Sequence, residues 1–257
     1  MALARTIVWF FVFFGSLLLV WPPLHRGLRA LQKGDWATAD QLAGSYVVPW
    51  ASRLLRLAGV EVTTVGKENI PAGRPCVFVA NHRGYYDIPL MLTQLDGPHP
   101  LLSKAEADRI PLVRGWMRLL HCVFVDRADT RASMAALHQA VDLVKKGYSM
   151  VVFPEGTRYK GEEGGIGEFK GGAFRIATKN GAPIVPVAIS GSRAIMEANH
   201  MLMCPGRVTV RILPPIETAG LSRAEIAELP QKTAGLIRAN LDANLNADQT
   251  QQPAANQ

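Results

Sequence analysis

Between residues 60 and 213, short β-branched or apolar runs alternate with stretches whose apolar residues recur every three or four positions. The runs fall at 60–65, 76–80, 101–103, 123–125, 149–153, 184–190 and 207–213, and helical patterns at 110–120, 131–146 and 172–180 lie between them. Such alternation predicts an α/β domain in which a mixed central sheet is covered by helices. Ser222 followed by Glu225 reads as a capping box that opens a last helix toward Asn240. Beyond about residue 247 the Gln-, Asn- and Ala-rich end has too little apolar surface to order itself, so 247–257 is expected to be a disordered tail.

The N-terminal pattern is different. Residues 6–21 carry no charge; Pro22-Pro23 follow, and then His25, Arg26, Arg29 and Lys33. A helix of about 16 to 18 residues reaches ~24 to 27 Å, marginal against a ~30 Å hydrocarbon core. It either spans the bilayer or lies partly buried in one leaflet. Arg5 before an apolar run has the outline of a signal peptide, but no A-x-A-like site follows Val20, and the segment is expected to be retained. If it spans, its cationic side is the C-terminal one, which puts the rest of the chain in the cytoplasm. Trp36, Ala39, Ala43, Tyr46, Trp50, Leu54 and Leu57 then recur at helical spacing, with Arg53 and Arg56 near the end. That helix either packs on the domain or lies on the membrane. The predicted organisation is a hydrophobic and amphipathic two-helix membrane-binding segment, 1–58, the α/β domain, 59–246, and the tail.

Composition sharpens this. Hydrophobic residues make up 48% of the 257, and the formal net charge is +7. That charge suits an anionic partner; no nucleic-acid-binding motif is present, and the apolar segment favours anionic lipid headgroups. Cys76, Cys122 and Cys204 are odd in number and form no CxxC pair, so neither a disulfide framework nor a zinc site is expected. No metal and no cofactor is expected elsewhere.

Two segments carry chemistry. The sequence from Asn81 through His82, Arg83, Gly84, Tyr85 and Tyr86 to Asp87 follows the run at 76–80, and Phe153, Pro154, Glu155, Gly156, Thr157 and Arg158 close the run at 149–153. Both therefore sit where strands end, the edge at which open α/β sheets place ligands. A neutral imidazole, ordinarily with a pKa near ~6.5, can take a hydroxyl proton, and a carboxylate beside it fixes its tautomer and stabilises the imidazolium. His82 is read as the base and Asp87 as its orienter. Five positions is too far for neighbours on a strand, so a turn leading into a helix has to fold Asp87 back onto the ring. His25, His99, His138 and His200 are read as ordinary surface or satisfied residues. His121 and Cys122, adjacent on a strand, point to opposite faces. No G-x-S-x-G elbow is present, so a covalent serine route has no support.

With Phe124-Val125-Asp126-Arg127 and Ile184-Val185-Pro186-Val187, these segments form four ordered blocks that resemble the glycerolipid acyltransferase family, in particular its 1-acyl-glycerol-3-phosphate acyltransferases, over roughly 60–213. Gly84 stands where that family often has Ser. The resemblance implies transfer of a fatty acyl group from acyl-CoA or an acyl-carrier-protein thioester to the sn-2 hydroxyl of a lysophosphatidic acid, with membrane lipids as surroundings and the thioester as co-substrate. It also implies that Glu155, Gly156, Thr157 and Arg158 form an acceptor-binding loop. Arg158 suits bidentate phosphate contact, Glu155 a hydroxyl or a cation, and Arg127 further phosphate contact; Lys104 and Lys170 are lesser candidates. Another lysolipid acceptor, or a noncatalytic lipid-binding role, are the alternatives. Six glycines in residues 161–172 fit no nucleotide-binding motif; a flap beside the acceptor site and a plain loop are both open.

Overall fold

The computed structural model describes residues 1–242 and 245, so the expected tail lies outside the described residues. The elements are α1 (Ala2–Leu19), α2 (Trp21–Gln32), α3 (Trp36–Ala58), β1 (Val60–Val65), β2 (Val77–Ala80), α4 (Asp87–Gln94), β3 (Leu102–Lys104), α5 (Val113–Leu119), β4 (Val123–Val125), α6 (Thr130–Lys145), β5 (Met150–Val152), α7 (Arg175–Thr178), β6 (Ile184–Ser190), β7 (Gly206–Ile212) and α8 (Arg223–Ala239). Each run read as a strand is one. The capping box at the start of α8 is formed from both sides.

The sheet is mixed. Its order is β1-β7-β6-β2-β5, with β2 parallel to β5 and β6, β1 parallel to β7, and β6 antiparallel to β7. β3 and β4 form a parallel pair that joins β5 through a parallel bridge between Leu101 and Val151. Consequently β2, β3, β4, β5 and β6 all run the same way, and their carboxyl ends share one edge.

Both faces of the sheet are covered, which is why β2 and β6 read as unbroken apolar runs. Alternate residues serve opposite layers. Phe78, Ala80, Val185, Val187 and Ile189 share a core with α1 to α5, whereas Val77, Val79, Ile184 and Ala188 share one with α6, α7 and α8. The fourth block therefore sits inside β6 and is core. Pro186 is tolerated in this central strand because its carbonyl faces β7, accepting from Leu213 N at 2.9 Å. The missing N–H lies on that same side, just before the β6–β7 ladder begins at Val187, and leaves the pairing with β2 intact.

The N-terminal segment, expected as two helices, contains three. Pro22 and Pro23 occupy the first turn of α2, where backbone N–H groups have no intrahelical partner anyway, so the pair opens a helix instead of only closing one. In α3, Ala39, Ala43, Val47, Ala51, Leu55 and Ala58 are buried in the core that includes Phe78 and Leu90, and Leu54 is buried beside them. Of the two placements open for that stretch, this face packs on the domain.

α1 is, among the described residues, the one helix long and apolar enough to cross a membrane by length and composition. It is also bound along one side. Thr6 Oγ1 accepts from Met203 N at 2.8 Å, Trp9 Nε1 donates to Leu54 O at 3.0 Å, and Trp50 Nε1 donates to Ser16 Oγ at 2.9 Å. Leu3, Ile7, Phe10, Phe11, Phe14 and Leu18, at helical spacing on the other side, are exposed.

Candidate active site

β2 ends at Ala80, and the next residue holds the strand end in place. Asn81, fully buried, donates Nδ2 to Ile189 O at 2.9 Å and accepts from Ile189 N through Oδ1 at 2.8 Å. Its amide continues the β2–β6 pairing for one step with a side chain. The chain then turns, and Asp87 opens α4. Asp87 Oδ2 sits inside that turn, accepting from Arg83 N at 2.6 Å and Gly84 N at 2.8 Å, and meets His82 Nδ1 at 2.7 Å. Four residues between His and Asp are the number that lets one carboxylate oxygen close the turn and reach the ring.

His–Asp contacts also occur at His99–Asp96 and His121–Asp40, each 2.7 Å, so contact alone distinguishes nothing. Exposure does. The side chains of Asp96 and Asp40 are 54% and 41% exposed, Asp87 not at all. Position does as well: His99 precedes β3 and His121 precedes β4, at the amino edge of the sheet, whereas His82 follows β2 at the carboxyl edge. His121 is part of a clasp, stacked on Trp36 at 4.5 Å, with Tyr148 donating to the same Asp40 at 2.7 Å.

The third block holds His82 from outside. Glu155 Oε1 accepts from His82 N at 2.8 Å, and Tyr159 N donates to His82 O at 2.8 Å, while the imidazole stacks on Phe153 at 4.4 Å. Glu155 Oε2 accepts from Gly167 N at 2.9 Å. Both its oxygens are thus taken by backbone, so Glu155, read as facing an acceptor hydroxyl or a cation, faces inward and fixes the main chain of His82. Its burial raises its carboxyl pKa above the ordinary carboxylate value, against the two N–H donors.

The other expected residues lie around this centre. Arg127 follows β4 and packs over Gly156, whose φ is +75°; a Cβ there would meet Arg127 Nη1 at 2.9 Å. The second and third blocks therefore touch. Burial pulls the Arg127 guanidinium below its usual value. Arg158 is partly exposed, with its guanidinium 3.6 Å from the Tyr85 ring centroid and Nη1 donating to Glu197 Oε1 at 3.1 Å. Thr157 is exposed, as are Lys104 at the end of β3 and Lys170. Lys170 contributes a backbone bond to Pro154 O. No group of three or more His, Cys, Asp or Glu that could hold a metal occurs among the described residues.

Arg83, Tyr85 and Glu197 carry parts that sequence reasoning missed. Arg83, 3% exposed, lies across the Gly-rich segment, donating to Gly161 O, Glu162 O, Gly165 O and Glu163 Oε2, with Tyr159's ring against its guanidinium. A Cβ at Gly161 or Gly165 would collide with Tyr159. The glycines thus make room for a ring, and the segment is a strap tied to the turn. Arg83 stands within the first block, between His82 and Asp87, and that position is the signal the sequence offered for it. Glu197 lies in no patterned stretch.

A three-layer α/β fold thus carries, at the carboxyl edge of co-directional strands, a histidine on a buried carboxylate with cationic residues following the neighbouring strands, and the chain belongs to the Acyltransferase family, which it matches over residues 61–190, just over half its length. Among its relatives, a chloroplastic 1-acyl-sn-glycerol-3-phosphate acyltransferase of Brassica napus is 40% identical over 154 residues, 59% of this chain and 44% of that one. The 1-acyl-sn-glycerol-3-phosphate acyltransferase of Saccharomyces cerevisiae is 33% identical over 178 residues, 68% of this chain and 58% of that one. The chain thus spans about half the length of the curated relatives it matches. A crystal structure of PlsC, the 1-acyl-sn-glycerophosphate acyltransferase of Thermotoga maritima, matches with a TM-score of 0.77 at 27% identity, covering 98% of this chain and 97% of that one.

Proposed function

We propose that this chain transfers a fatty acyl group from an acyl thioester to the sn-2 hydroxyl of 1-acyl-glycerol-3-phosphate, forming phosphatidic acid. The observation that carries the reading is the 2.7 Å contact of His82 Nδ1 with the fully buried Asp87, at the sheet edge where β3, β4 and β5, the strands before Lys104, Arg127 and Arg158, also end. An ionised Asp87 accepts a hydrogen bond, which places the imidazole proton on Nδ1 and leaves the Nε2 lone pair as the base. No hydrogen bond engages Nε2 among the described residues. The acceptor hydroxyl gives its proton to Nε2 as its oxygen bonds to the thioester carbonyl carbon. When the tetrahedral intermediate collapses, the C–S bond breaks and the departing sulfur takes that proton from the imidazolium, leaving ester and free thiol. Asp87 holds the ring throughout and stabilises its charged form. The three cations bind the acceptor's phosphate, with Arg158 presenting a planar fork and Lys104 a point charge.

The donor thioester is carried by coenzyme A or by acyl carrier protein, and the acceptor arrives from the membrane. Residues 1–58 act as the membrane-associating unit. One side-chain hydrogen bond ties α1 to the domain at Met203 and two tie it to α3, which itself packs on the domain; this favours burial of the opposite side of α1 in one leaflet over spanning. Trp9 of α1 lies 6.0 Å from Tyr86 of the catalytic turn, ring to ring, so the lipid boundary runs beside the site. Exposed Arg26, Arg29 and Lys33 on α2 and the segment after it suit anionic headgroups on the cytoplasmic face. The test is purified full-length protein offered a panel of lysolipids with acyl-CoA and acyl-carrier-protein donors. Phosphatidic acid should dominate the products, and preference for an acceptor lacking the glycerol phosphate monoester would overturn the reading.

A further inference from the structure

Glu197 is a carboxylate beside the site that the mechanism leaves without a role. It follows β6, at the same edge as the four groups above, and its side chain is 13% exposed. Oε1 accepts from Tyr85 N at 2.5 Å and from Arg158 Nη1 at 3.1 Å. Oε2 is buried against Gly84, where an added Cβ would approach it to 3.0 Å, and has no hydrogen-bond partner. Burial raises the carboxyl's pKa above its ordinary value.

One oxygen thus bridges the turn between His82 and Asp87 and the arginine that reads phosphate. A guanidinium on a flexible stem has many orientations, and ordering it on binding weakens affinity. Here the orientation is set beforehand. Tyr85 supports one face of the guanidinium at 3.6 Å, and Glu197 holds Nη1. No hydrogen bond to Nε or Nη2 occurs among the described residues, so the edge that forms a bidentate pair is free, on a side chain 30% exposed. We propose that Glu197 is a positioning residue that aims the free edge of Arg158 at a phosphate monoester of the acceptor and ties it to the turn carrying His82. Gly84, the departure from the family's usual Ser, belongs to the same device: it leaves the space Glu197 Oε2 occupies.

The inference rests on Arg158 reading the acceptor phosphate, and the experiment separates the two. Acceptor and donor KM and kcat are measured for Glu197→Ala, Glu197→Gln, Arg158→Ala and the Glu197→Ala/Arg158→Ala double variant, with 1-acyl-glycerol-3-phosphate and with monoacylglycerol. Glu197→Ala should raise the KM for the phosphorylated acceptor about tenfold, with kcat, the donor KM and the monoacylglycerol KM within about twofold of wild type. Glu197→Gln keeps an oxygen that accepts both N–H groups but lacks the charge, and should recover part of that loss. On the Arg158→Ala background, Glu197→Ala should change nothing further, because it acts through Arg158. An undiminished effect on that background, or an equal loss of kcat with both acceptors, overturns the positioning role. Arg158→Ala that treats both acceptors as wild type does overturns the phosphate reading beneath it. Melting curves of each variant, Glu197→Gln being the near-isosteric control for folding, show that the comparison is made on folded protein.

Discussion

Replacing Asp87 by Asn removes one charge from a site with no exposure and leaves the shape in place. The carboxylate and the imidazolium that forms in the reaction have charge centres roughly 4 Å apart, and at an effective dielectric of about 20 such a pair interacts by about 4 kcal/mol. Tenfold in rate is about 1.36 kcal/mol, so kcat should fall by about 10³. Arg83 N and Gly84 N still find an acceptor oxygen in Asn, and the turn should survive. The amide nitrogen then occupies the position of Oδ1, which has no partner in the protein. A buried, unpaired donor costs about 1 to 3 kcal/mol of stability, a loss a chain of this size can absorb while remaining folded at the assay temperature. The measurement is initial rate with labelled acyl-CoA and 1-acyl-glycerol-3-phosphate in mixed micelles, beside a thermal melt by circular dichroism. A folded Asp87→Asn protein with kcat within tenfold of wild type would refute the electrostatic role, and Asp87 would then be a turn-closing residue only.

Two further outcomes follow from the strap and from α1. Arg83→Met keeps the stem but removes a buried guanidinium with four acceptors, so the segment 161–167 should become sensitive to limited proteolysis and kcat should fall by about tenfold or more, the scale of a charge-assisted hydrogen bond of about 1.5 to 3 kcal/mol; an unchanged cleavage pattern sinks the idea that Arg83 ties the strap. Phe11 and Leu18 are 78% and 63% exposed on the outer side of α1, and burying each in lipid is worth about 1.5 to 3 kcal/mol. Changing both to Asp should weaken sedimentation with phosphatidylglycerol-containing vesicles by at least about 10²-fold without touching Thr6, Trp9 or Ser16, and wild-type binding by that variant would remove α1 as the anchor. Truncation before Gly59 is a poorer test, because α3 covers the core that contains Phe78 and Leu90.

What the sequence disclosed and what it hid divide along physical lines. A strand buried on both faces reads as an unbroken apolar run, and β2, β5 and β6 were legible for that reason. α2 was not, because Pro22-Pro23 mark a boundary equally well whether one helix ends there or another begins, and only the buried Leu24, Gly27 and Ala30 decide it. The His82–Asp87 pair was legible because the turn that joins them is local. Arg158 and Glu155 were visible as charges but not in their orientations. Glu155 turns inward because His82 N and Gly167 N both need an acceptor, a requirement set by two segments distant in the chain.

Co-direction of the strands explains why scattered blocks make one site. β2, β3 and β4 deliver His82, Lys104 and Arg127 within two residues of their ends, and β5 and β6 deliver Arg158 and Glu197 through longer loops at the same edge. A block is recognisable in sequence when the residue types it needs are close together, as in the first and third. Glu197 needs only to reach Tyr85 N and Arg158, both supplied by other strands, and nothing in its own neighbourhood has to be unusual. Its partner position is unusual instead: Gly84, in the first block, has no side chain because Oε2 of Glu197 is against it. A departure from a family's pattern inside a motif thus points across space to the residue that fills the gap. A side chain at position 84 would also meet the backbone oxygen of Ser192 at 3.2 Å, so shortening residue 197 opens only part of that space and does not restore the hold on Arg158.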